Sequence, residues 1–290
     1  MIPELFVVHE YLTRVTPLGV RFWDQAARLL VSEGLVVTVY PLGSPRRRTR
    51  AIPNRSGVFV AQNLPGLRSI EYGKGDAEFW VGVTPPASPF VIEVVDERGR
   101  FQPFQFKVDL PVKGLLSWAP DVADSPPSAL PTLPLYSTPA RTVPAGMAVL
   151  RADLRDWCTN RPAAWAVLEA RPEGQPPVRG IAGKDGRITL VFPYPEPHSG
   201  PLGSPPGSPP SGERKPFLEQ KWAVMLQAWY SASVMVPNRL DLSSVFTQQP
   251  ATLLATVSPE TVLNSATLEF GKDLIVKTET QSELLIQAAV

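Results

Sequence analysis

The chain has 290 residues, of which 43% are apolar and 19% charged, enough for two ordinary cores and against global disorder. Twenty-eight basic and 27 acidic residues leave a net charge of +1, so no overall field draws it to nucleic acid or an anionic membrane. Thirty-four prolines, roughly twice ordinary usage, argue against long helices and for short strands joined by ordered loops.

Residues 1–13 carry Glu4, His9 and Glu10 in place of a basic start and an apolar run, so no secretory leader is expected. No window reaches the roughly 18 apolar residues of a membrane helix, and the lone Cys158 offers no internal disulfide. The expected location is cytoplasmic. Phe22–Leu29 reads as a short helix. Leu35–Tyr40 alternates as a strand, Gly43–Arg48 is a basic turn, and Asn54-Arg55-Ser56-Gly57 is a hairpin turn returning into Val58–Ala61. Arg46, Arg47, Arg48 and Arg50 read as a solvated loop tip before they read as a phosphate site. Glu78–Val83, Phe90–Asp96 and Phe101–Val108 are further strands, the last two joined through Asp96-Glu97-Arg98-Gly99-Arg100 with Gly99 in the left-handed position. Five or more strands in this span predict a β-sandwich over residues 1–119.

Residues 120–145 are rich in Pro, Ser and Thr and read as a stiff linker. A second sandwich is expected over 146–236, with strands at Met147–Leu150, Ala164–Ala170, Arg179–Ala182 and Arg187–Phe192. It is interrupted by a Pro/Gly/Ser-rich loop at 193–216 that reads as mobile. Lys221–Val236 is apolar on both alternating faces, which predicts a strand covered on both sides, one reaching into another chain, or a central strand followed by a bend. Trp222, Trp229 and Tyr230 within it are the candidate interface anchors. Residues 237–290 read as a docking arm: a helical turn at Leu240–Phe246, then short strands at Ala266–Phe270, Asp273–Thr278 and Glu283–Ala288.

Two stretches align without a gap at an offset of 129 residues: Leu35–Leu64 and Ala164–Pro193. Gly57 falls on Gly186, and Arg50-Ala51-Ile52 on Arg179-Gly180-Ile181. This repeat predicts the same strand–turn–strand unit twice, and so an all-β chain of two tandem sandwich modules with a C-terminal arm or small meander.

Chemistry is scarce. His9 and His198 stand in no ligand pattern, which leaves no metal site and no cofactor to expect. Cys158 reads as a buried inert thiol. No nucleophile elbow, phosphate loop or dinucleotide fingerprint is present, and Gly73-Lys74-Gly75-Asp76 reads as a turn. Acid pairs such as Asp153 with Asp156, or Asp96 with Glu97, read as solvated loop charges. A non-enzymatic protein is expected.

The repeated unit, through Leu35–Pro41, Asn54–Gly57 and Val58–Ala61 and through Trp165–Ala170, Gly183–Gly186 and Arg187–Phe192, resembles the carboxypeptidase regulatory-like domain, a transthyretin-type β-sandwich with no catalytic residues of its own. Asn54–Gly73, Phe90–Leu115 and Ala266–Ile286 together resemble a structural component of extracellular, phage-tail-like contractile injection systems. That resemblance implies a cap, collar or baseplate subunit present in several copies around a ring. Its partners would be tube, sheath, cap or baseplate proteins, with no nucleic acid and no membrane insertion. The rival readings are a carbohydrate- or surface-binding adhesion module and an accessory domain of a separately encoded hydrolase.

Overall fold

The computed structural model describes residues 15–71, 86–116, 131–197, 217–232 and 239–289. The chain is all-β. The first half contributes β1 (Leu18–Val20), β2 (Phe22–Asp24), β3 (Leu29–Val31), β4 (Leu35–Pro41), β5 (Thr49–Pro53), β6 (Phe59–Ala61), the short helix α1 (Arg68–Glu71), β7 (Ser88–Asp96), β8 (Phe104–Leu110) and β9 (Leu133–Leu135). The second half contributes β10 (Met147–Asp156), β11 (Val167–Pro172), β12 (Val178–Ile181), β13 (Arg187–Pro193) and β14 (Lys221–Trp229). The C-terminal stretch adds β15 (Leu240–Asp241), α2 (Leu242–Val245), β16 (Pro250–Val257), β17 (Glu260–Val262), β18 (Ser265–Glu269), β19 (Leu274–Ile275) and β20 (Leu284–Ala288).

Three sheets result. A seven-stranded sheet runs β1-β6-β5-β4-β7-β8-β15, and a small one runs β3-β2-β9. A ten-stranded sheet runs β12-β11-β14-β16-β20-β10-β13, with β17 on β16, β18 on β14 and β19 on β10. Alternation sets the faces: Leu35, Val37 and Val39 of β4 and Phe90, Ile92 and Val94 of β7 enter the first core with Phe59, Phe104 and Phe106. Leu150, Leu154, Leu168, Leu190, Phe192, Trp222 and Val224 fill the second. No helix among the described residues is long and apolar enough to cross a membrane.

Four local expectations need correction. Phe22–Leu29 is a hairpin, not a helix. The Asp24 carboxylate accepts hydrogen bonds from the backbone N–H of Ala26 (3.0 Å) and Ala27 (3.3 Å), and Arg28 turns the chain at φ 53°. That local bonding competes with helix formation. Residues 131–144, the second half of the expected linker, are part of the first core: Leu133, Leu135 and Tyr136 are buried, and Arg141 is buried against Asp24.

β14 is covered on one face only. Trp222, Val224, Leu226 and Ala228 are buried while Lys221, Ala223, Met225 and Gln227 face outward. Its length serves its own sheet, because β14 pairs along one edge with β11 and along the other first with β18 and then with β16. Finally, residues 240–288 do not leave the body as an arm. β15 adds to β8, Leu242 and Val245 enter the first core, and β16, β18, β19 and β20 complete the second sheet.

Several expectations lie outside the described residues: the strand at 78–83 with Trp80, the 73–76 turn, His9 and His198, residues 120–130 of the linker, and the bulk of the 193–216 loop.

Candidate functional site

Among the described residues the buried carboxylates are already engaged. Arg141 donates to both oxygens of Asp24, at 3.0 and 2.6 Å, inside the first core. Glu71 accepts from the N–H of Asn63 (2.7 Å) and Leu64 (3.1 Å). Glu93 pairs with Arg48 and Arg239. Glu169 is held by Arg179 at 2.8 Å and Arg171 at 3.2 Å. A buried carboxylate with two fixed donors is a structural element, not a free acid or base.

Asp96 shows the balance of forces. Burial pushes its carboxyl up, yet the Arg100 guanidinium and the N–H groups of Arg98 and Arg100 more than offset this and hold it below the ordinary range. Asp156 accepts from Tyr230 Oη at 2.9 Å and from the N–H of Cys158 and Thr159. Burial, and then the Asp156 carboxylate, push the Tyr230 phenol up, so it remains a neutral donor. On the surface, hydrogen bonds from Lys221 and then Lys272 draw Glu269 down to about 2. Among the described residues no cluster of three His, Cys, Asp or Glu forms that could hold a metal ion.

The three candidate anchors are not on a free surface. Trp222 is 1% exposed and donates from Nε1 to the carbonyl of Glu196. Tyr230 is 6% exposed and spends its hydroxyl on Asp156. Trp229 is half-buried beneath the Arg179 guanidinium, 5.2 Å from its ring centroid. Apolar content alone named them; it does not separate a core aromatic from an anchor. Cys158, expected buried, is exposed.

One open surface lies on the repeated unit. Both copies make the same turn. Gly57 N–H donates to Asn54 O (3.0 Å) and Asn54 N–H to Val58 O (2.8 Å); 129 residues on, Gly186 N–H donates to Gly183 O (2.9 Å) and Gly183 N–H to Arg187 O (2.8 Å). Both glycines are left-handed, at φ 72° and 81°. The strand pairing β11–β12 has slipped two residues relative to β4–β5, a step that keeps every side chain on its face.

The outer faces differ. Ile181 is fully buried with Trp165 and Val167 in the core cluster of the first module, and Arg179 N–H reaches Gln25 Oε1 in the β2–β3 turn (3.4 Å). Nearby, Arg28 donates to Gln175 at 3.0 Å. The second copy thus seats its outer face on the first module. The matching Ile52 of the first copy is 65% exposed. It lies in a shallow groove of about 500 Å3 lined by Thr49, Arg50, Pro53, Asn54, Val60 and Gln62. This groove is the candidate site. The repeat carried the signal for it, but the repeat alone does not show which copy is covered.

No family model matches this chain, and no curated protein matches it. Among solved structures it is similar to the Bacillus anthracis TIE protein, at 10% identity and a TM-score of 0.23 over 95% of this chain; the chain spans 34% of that one. It is similar to GBS52, the minor pilin of Streptococcus agalactiae, at 10% identity and TM-score 0.23 over 94% of this chain and 97% of that one. Shaft pilin SpaA of Lactobacillus rhamnosus GG is similar at 8% identity and TM-score 0.22, over 94% and 97%. Scores of this size establish no shared function. They do bring up pilins where the sequence resemblance pointed to contractile injection particles, and neither that family nor the carboxypeptidase regulatory-like domain is matched by a model. The expectation of a cytoplasmic cap, collar or baseplate subunit bound to tube and sheath proteins is therefore withdrawn.

Proposed function

We propose that this chain is a non-catalytic structural subunit that works through protein–protein contacts within a multi-subunit assembly. One observation carries the reading: the C-terminal stretch ties both modules together. Leu240, Leu242 and Val245 sit in the first core and Leu253, Leu268, Leu284 and Ile286 in the second. Between them Gln248 donates to the carbonyl of Trp165 at 2.8 Å and accepts from Ser231 N–H at 3.1 Å. A body clamped in this way opposes the domain motion that many enzymes use to close on substrate, and suits a part that holds position. The engaged buried carboxylates support the same reading. The working modules are one built on residues 15–116 and 131–144 and one on residues 147–232, with 239–289 closing both.

The test is isolation of the chain from its native source after mild cross-linking, followed by sedimentation. Recovery at fixed stoichiometry in a particle of many subunits is the expected result. Recovery as a free chain, or bound to one hydrolase, overturns the proposal.

A further inference from the structure

The second copy of the repeat docks its outer β12 face on a neighbouring module; the first copy presents the matching β5 face to solvent. Within β12, Gly180 turns inward against Leu190 and Ile188, while Arg179 and Ile181 turn outward onto the first module. Within β5, Ala51 turns inward and Arg50 and Ile52 turn outward, and in the described structure they meet no module. An isoleucine left 65% exposed on one copy and 0% exposed on the other marks an interface used once and available a second time.

Charge identifies what fits it. Residues 43–56 hold Arg46, Arg47, Arg48, Arg50 and Arg55 and no acid. Arg48 is held by Glu93; Arg46, Arg47, Arg50 and Arg55 are exposed and have no carboxylate partner among the described residues. Towards the C-terminus of the chain, residues 240–289 hold six acids (Asp241, Glu260, Glu269, Asp273, Glu279 and Glu283) against Lys272 and Lys277. The most exposed element there is β17. All three of its residues are exposed, Val262 by 54%, and β16 is its one strand partner among the described residues. Glu260 stands at its start, and Glu279 is bonded alongside through its N–H to Ala255 O at 2.7 Å. A free edge carrying exposed Val262 two residues from exposed Glu260 matches an isoleucine groove rimmed by arginines.

We infer that the β5 groove of one chain receives the β16–β17 hairpin of a second copy, giving a heterologous, head-to-tail contact. Internally, the turn of the β2–β3 hairpin likewise reaches β12, through Gln25 and the Arg179 N–H. The two surfaces lie in different modules, so the contact need not close into a dimer and can propagate as a string or ring. Nucleic acid is the disfavoured occupant, because the groove offers no exposed aromatic ring for base stacking. The inference rests on the reading of the chain as an assembly subunit and names one partner of that assembly.

The experiment is sedimentation velocity of the purified full chain over a concentration series, at low and high salt. Self-association that rises with concentration and weakens in high salt is expected. Arg50→Glu and Glu260→Arg each weaken it by about tenfold or more, and the double charge swap restores a large part of it. Both positions are exposed, and unchanged unfolding midpoints confirm intact variants. A chain that stays monomeric throughout overturns the inference, as does association untouched by either substitution. A monomer shifted by a single-stranded oligonucleotide overturns it in favour of nucleic acid. A monomer that still enters a native particle removes this contact while leaving the structural role standing.

Discussion

The two copies of the repeat make the same turn with the same pair of backbone hydrogen bonds, yet they carry different burdens. In the first copy the Asn54–Gly57 turn stands in the open: a Cβ placed on Gly57 would meet nothing closer than Ser32 Cβ at 3.7 Å. In the second the two glycines of the turn are buried while Lys184 and Asp185 stay exposed, and a Cβ on Gly186 would lie 2.3 Å from the carbonyl oxygen of Leu154 and 3.3 Å from Pro162. The carbonyl of Gly186 also accepts from Leu154 N–H at 2.8 Å. Local geometry was kept and energetic weight was not. A turn sequence fixes the path of the chain, and its neighbours fix how much depends on it.

The largest test of this contrast is a pair of glycine substitutions. Gly186→Ala is expected to cost about 4 kcal/mol or abolish folding, because left-handed strain adds to a backbone collision. Gly57→Ala carries the strain alone and is expected to cost about 1 kcal/mol. Urea unfolding midpoints of the two variants measure the difference; equal shifts would break the comparison.

The isoleucines come next. Ile181→Ala leaves a cavity where the modules meet and is expected to cost about 3 kcal/mol. Ile52→Ala, at an exposed site, should stay within about 0.5 kcal/mol when measured on the monomer in high salt. The arginines follow in order. Arg179→Ala strips the better-buried partner from Glu169 and is expected to cost about 2 kcal/mol, less than a fully orphaned buried carboxylate because Arg171 remains. Arg50→Ala should leave monomer stability unchanged within about 0.5 kcal/mol.

The smallest effect belongs to pH. The folded-state pKa of Asp96 is lowered from 3.8, so its contribution is complete above that value and is lost as pH falls through the lower, folded one. Asp96→Asn should flatten the acid limb of the stability curve below about pH 4. An unchanged limb would show that the Arg100 pairing adds nothing to folding.

Much of the fold was legible from the residues. The strands of the repeat, the left-handed Gly57, Gly99 and Gly186 and the β7–β8 hairpin all follow from period-two alternation and turn chemistry, which act over a few residues. The helical turn after Asp241 and the strands near 265–269, 274–275 and 284–288 were legible for the same reason. The hairpin at Phe22–Val31 was not. Its apolar spacing suits a helix; the Asp24 carboxylate that bonds the turn locally is also held by Arg141, 117 residues away, and no short-range pattern announces that partner. Trp222 and Tyr230 misled for a related reason: composition reports that an aromatic must be covered, not by what.

The amino-acid order therefore settled the class of fold, the duplicated unit and its turns, and the poverty of catalytic groups, since each is written in short-range pattern and residue type. Tertiary structure alone decided that the C-terminal stretch clamps both cores, that both edges of β14 pair within the chain, and that Ile181 is covered while Ile52 is bare. Burial of a strand's outer face depends on what the rest of the chain brings across from it. No alternation within the strand encodes that.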